Sequence, residues 1–261
     1  MSRLHQEFAR LYLPAAPTAP GALAEATELA ALAPSEDAFG QVRALVIEVA
    51  RPAQWAPLSA LWRGVQADFG WPAPAIAVNG VDGLQLWFSL AQPVPHGQAQ
   101  ACVAGLRRRY LAVLRDGQVA AWPPAATLAP PRWLSVPVLR EASGAWSAFV
   151  APDLAAIFED TPWLDLPPGA EGQASLLARS GSIAPAQWQA AMASLAAEFS
   201  ESPMHAAPPG LAPAAAAEGT ATDRHSPAAT QARAFLLRVM EDESLPWAQR
   251  IEAAKALLAA G

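Results

Sequence analysis

Only one cysteine, Cys102, and one lysine, Lys255, occur in the 261 residues. A single thiol excludes an intrachain disulfide and any thiolate zinc cluster. The remaining basic residues are arginines, a bias that carries no functional argument. Charge is sparse: 15% of residues are charged and the net charge is −6. That balance excludes a general pull toward nucleic acid or anionic lipid and leaves only a local basic patch to argue for a polyanion. No run of about 18 uninterrupted apolar residues occurs, and MSRLHQEFARLYLPAAPTAP lacks the apolar stretch of a signal segment. The expectation is a soluble, cytoplasmic protein. Serine-nucleophile and phosphate-loop motifs are absent too.

Apolar residues are plentiful at 53%, enough for a substantial core. Residues 1–41 read as an N-terminal helix with an apolar stripe (Leu4, Phe8, Leu11, Tyr12) and an irregular lead-in. VRALVIEVA, from Val42, is a β-branched strand ended by Pro52. Trp55, Leu58, Leu61, Trp62, Val65 and Phe69 then recur at helical spacing, with Gly70 as the stop. PAIAV and GLQLWFSL flank the turn NGVDG as a hairpin. In the second of these strands Gln85 and Trp87 share one face and Leu84, Leu86, Phe88 and Leu90 the other. A helix follows from about Gly97 to Leu114.

The order β-α-β-β-α predicts an α+β fold with a split βαββαβ core, of the ferredoxin or RNA-recognition type. A Pro-rich crossing, AWPPAATLAPP, leads to a second hairpin, WLSVPVL and AWSAFVA, either strand of which is expected to close the split unit. A short helix (PDLAAIFED), a turn-rich link (PWLDLPPG) and a helix from Pro185 complete a core domain over 42–200. Residues 201–229 carry too few large apolar residues to offset the entropy of ordering and read as a disordered linker. Residues 230–261 read as a helical hairpin, with Phe235, Leu236, Val239 and Met240 facing Trp247, Ile251, Ala254 and Leu258. That tail is too small to stand alone and is expected to dock in cis or on a partner.

Residues suited to chemistry are few. His5, His96, His205 and His225 have no metal-ligand spacing, and Cys102 falls on an apolar helical stripe as a small core residue. Glu48 ends the first strand and Asp82 forms the turn; a metal-dependent enzyme built on them is the least favoured reading. Arg107, Arg108 and Arg109 with Tyr110 and Arg115 form the one concentration of positive charge, read first as a solvated flank and second as a phosphate contact. An open sheet face bearing Gln85 and Trp87 would stack the bases of a single strand. The opposing reading covers that face and places Trp87 in the core.

PAIAVNGVDGLQLWFSLAQPV resembles the strand-turn-strand of archaeo-eukaryotic-type primases of plasmids and phages. Gly83-x-Gln85, Trp87, Leu90, Pro93 and Val94 carry the resemblance, and LVIEVARP falls at that family's first acidic motif. The family's acidic positions are Glu48 and Ala50 here, Gln85 stands where a histidine is common, and no third aspartate follows. The resemblance therefore implies a degenerate, non-catalytic member without metal or cofactor, binding single-stranded nucleic acid or a replication or packaging protein. FLLRVMEDESLPWAQRIEAAKALLAAG is similar to helical segments of phage packaging and mobile-element proteins. A purely protein-interacting or structural module without nucleic acid is the alternative.

Overall fold

The computed structural model describes residues 2–14, 32–124 and 134–200. The expected linker at 201–229 and helical hairpin at 230–261 lie outside the described residues, as does much of the lead-in. Helices and one largely antiparallel sheet make an α+β fold. No described helix is long and apolar enough to cross a membrane.

Helix α1 (Arg3–Tyr12) is capped by Ser2, whose Oγ accepts from the His5 N–H at 3.3 Å. Strand β1 (Gln41–Ala50) leads into helix α2 (Trp55–Phe69). That helix stops where Gly70 turns left-handed at φ 62° and its N–H reaches back to the Gln66 carbonyl. Strands β2 (Ala75–Val78) and β3 (Gly83–Pro95) form the expected hairpin. Helix α3 (His96–Tyr110) ends with three arginines in its last turn, where cations complement the helix dipole. Arg109 fastens that end to its neighbours by bonding Asp68 of α2 at 2.6 Å and Glu198 further along the chain.

Strand β1 pairs antiparallel with β3, and β3 with β2, so α2 carries the chain across β3. On the other side of β1 lies β4 (Val119–Trp122), also antiparallel. This corrects one expectation. The strand beside β1 is the short VAAW that precedes the Pro-rich crossing, not WLSVPVL or AWSAFVA. Those two supply β5 (Val138–Arg140) and β6 (Ala145–Val150), and the hairpin joins the opposite margin through β6 and β2. The order is β4-β1-β3-β2-β6-β5.

PDLAAIFED makes a 3₁₀ turn at Ala155–Glu159. After the turn-rich link comes an unanticipated helix, α4 (Ala170–Ala178), then the two-residue β7 (Ser182–Ile183) beside β3 and helix α5 (Pro185–Ser200).

The sheet is buried on both faces. Leu45, Ile47, Val49, Leu84, Leu86 and Phe88 meet Leu58, Leu61 and Val65 of α2, Cys102 and Leu106 of α3, and Trp188 and Leu195 of α5. On the reverse face Ala44, Val46, Ala77, Trp87, Trp122 and Phe149 pack beneath Phe8, Leu11 and Tyr12 of α1 and Leu177 of α4. The stripe of α1 does dock on the core, and Ser89 Oγ donates to the Leu11 carbonyl at 2.6 Å.

Candidate functional site

The polar face of β3 is covered. Trp87 is 1% exposed, and the rings of Phe8, Tyr12 and Phe149 meet it edge-on at centroid distances of 5.8, 5.2 and 5.4 Å. The expectation of an open face stacking bases on Trp87 is therefore corrected. The α1 stripe covers that face, so Trp87 is a packing residue. Its indole Nε1 donates to Gln85 Oε1 at 2.8 Å.

Gln85 passes that bond on. It lies directly opposite Glu48 in the β1–β3 register, and its Nε2 donates to Glu48 Oε2 at 2.7 Å. Asn79, at the end of β2, donates from Nδ2 to the same Glu48 oxygen at 3.3 Å and to Asp82 Oδ1 at 3.2 Å. The other end of this side chain builds the turn: Asn79 Oδ1 accepts the N–H groups of Val81, Asp82 and Gly83. One amide thus shapes the loop and occupies the space between two carboxylates, where a shared cation would need to sit.

Two neighbours fit this amide closely. A Cβ on Gly83 would lie 2.7 Å from Asn79 Nδ2 and 2.8 Å from the Ala50 Cβ, so the approach of the side chain to β3 requires glycine there. Arg140 of β5 donates from Nε to the Asn79 carbonyl at 2.7 Å and from Nη2 to the Ser135 carbonyl at 3.0 Å.

Glu48 is 4% exposed. Burial pushes its pKa up to about 7, against the opposing pull of the Gln85 and Asn79 hydrogen bonds and the Arg140 charge; the Asp82 charge adds to the rise. A carboxyl so placed is only partly ionised near neutrality. Among the described residues no three His, Cys, Asp or Glu side chains gather as a metal-ligand set. Of the four positions set against the resembled motifs, Glu48, Gly83 and Gln85 meet in one buried network, while Ala50 closes β1 opposite Gly83.

The arginines lie elsewhere. Helix α3 packs on the opposite side of the sheet from Trp87, so no single surface joins the candidate arginines to the candidate stacking ring. Arg107 and Arg108 line a groove of about 660 Å³ between α3 and the marginal strand β4. Gln100 and Val103 of α3, Leu111 and Leu114 beyond it, and Val119 and Ala121 of β4 form its floor and walls. Arg107 bonds Asp116, which also lines the groove, and Arg115 stands exposed beside it in the chain. Among the described residues that line this groove, none carries an aromatic ring.

Asn79, Arg140, Val119 and Ala121 escaped sequence reasoning. The Asn79-Gly80 pair signals a turn, but nothing local signals that its amide reaches β1. The chain matches no protein-family model and no curated relative.

Proposed function

We propose that this chain is a non-catalytic binding protein of primase-like, split-sheet type whose partner is held in the α3–β4 groove. The single observation behind the reading is the state of Glu48. The residue at the resembled acidic motif is buried and bonded to two amides, so it serves the fold. The antiparallel neighbours β4-β1-β3-β2, with a helix after β1 and another after β3, agree with the split arrangement. A replication or mobile-element setting rests on the sequence resemblance alone.

Of the two partner classes, a protein is favoured over a single-stranded nucleic acid. The described groove residues are mainly aliphatic and offer no ring for base stacking, which supplies much of the sequence-tolerant affinity for single strands. Anisotropy of labelled oligothymidine across a salt series tests the choice. Absence of binding at low salt leaves the protein reading standing. Salt-sensitive binding that Arg108→Glu removes selects nucleic acid instead. Template-dependent nucleotide incorporation that disappears in Glu48→Gln would contradict the non-catalytic reading altogether.

A further inference from the structure

Three features of the groove bear on what fits it. Strand β4 pairs with β1 along one side, and among the described residues no strand pairs with the other. In an antiparallel ladder alternate residues turn their N–H and C=O groups away from the partner, so β4 presents outward-facing backbone groups that a further strand can bond. Val119 and Ala121, on the helix side of β4, line the groove under the flank of α3 formed by Gln100, Val103 and Arg107. A strand laid beside β4 would place every second side chain under that flank. The lining is net cationic although the chain is acidic overall: it carries Arg107 and Arg108 against Asp116.

Resting on the reading of this groove as the binding surface, we propose that its occupant is an extended, acidic segment of a partner protein, added as a strand alongside β4. Main-chain bonds to β4 supply the attachment, alternate aliphatic side chains fill the space against Val103, Val119 and Ala121, and carboxylates of the segment meet Arg108 and compete with Asp116 for Arg107. The pairing of apolar positions with flanking carboxylates sets the specificity. A lysine-rich segment of equal apolar content is rejected by like charge at the rim.

A displayed library of random dodecapeptides, selected against the full chain, tests this. The expected winners alternate aliphatic residues and carry Asp or Glu, lose about tenfold in affinity against Arg108→Glu, and slow amide exchange within Val119–Trp122 when bound. Several results would overturn the proposal: no enrichment, winners indifferent to Arg108→Glu, protection confined to another surface, or β4 amides already fully protected in the free chain. Oligothymidine separates the failure of this inference from that of the broader reading. If it binds in an Arg108-dependent way while the library yields nothing, the groove is a binding surface and the peptide strand is wrong. If neither probe responds to Arg108→Glu, both readings fall.

Discussion

Gln85 Nε2 and Glu48 Oε2 lie 2.7 Å apart, paired across β1 and β3 inside a covered sheet face. The pair continues to Trp87 on one side and to Asn79 and Asp82 on the other. A buried polar chain of this kind is favourable only while each member keeps its partner, because an orphaned donor or acceptor there costs about 1–3 kcal/mol.

The pH dependence of stability follows from Glu48. In the unfolded chain its carboxyl ionises near the ordinary value of 4.5, and in the folded chain near about 7. Between those values the folded chain holds the extra proton. The stabilisation is complete below pH 4.5, declines as pH rises, and is lost once pH has passed 7. The gap corresponds to at most about 3 kcal/mol. Urea unfolding of wild type and Glu48→Gln at pH 4.5 and pH 8 isolates it. Relative to the variant, wild type should be less stable at pH 8 than at pH 4.5.

Trp87→Ala should destabilise the protein by about 3–5 kcal/mol, the usual range for removing a buried large aromatic. Trp87→Phe keeps a ring against Tyr12 but removes the indole hydrogen bond to Gln85 Oε1, and about 1–2 kcal/mol is expected. Denaturant unfolding measures both. Binding by the fraction that remains folded should be unchanged, because the groove lies on the other side of the sheet.

The alternation of Leu84, Leu86 and Phe88 against Gln85 and Trp87 revealed in advance which side chains of β3 share a face, since strand periodicity depends only on the backbone. It did not reveal what covers the polar face. That depends on α1, some 75 residues earlier in the chain, whose stripe showed that it docks but not where. Helix α4 left little trace because Gly172 interrupts it. One of its buried anchors, Gln173, is polar and bonds the backbone N–H and carbonyl of Phe149 at 2.7 and 2.9 Å. Strand β4 was missed because four residues next to two prolines show too short an alternation to separate from a loop.

Gly83→Ala should cost about 1–3 kcal/mol, the range for forcing an extra methyl into a packed site. The Asn79 amide and Ala50 cannot both stay where they are. A thermal melt reads the loss. In Asn79→Ala/Gly83→Ala the two losses should be less than additive, since Asn79→Ala removes the group that the new methyl displaces.

Arg108→Glu should leave the fold intact at a cost of no more than about 2 kcal/mol, because a carboxylate opposes the α3 dipole where a cation favours it, while altering binding at the groove. Melting the purified variant beside wild type checks this and licenses its use as a binding control.

Whether Glu48 serves the fold or binds a cation is read most directly from its own carboxyl carbon by ¹³C NMR titration, with and without millimolar magnesium. The account predicts a midpoint close to 7 that magnesium leaves in place. A midpoint drawn well down by magnesium would show an acid accessible to metal and contradict it.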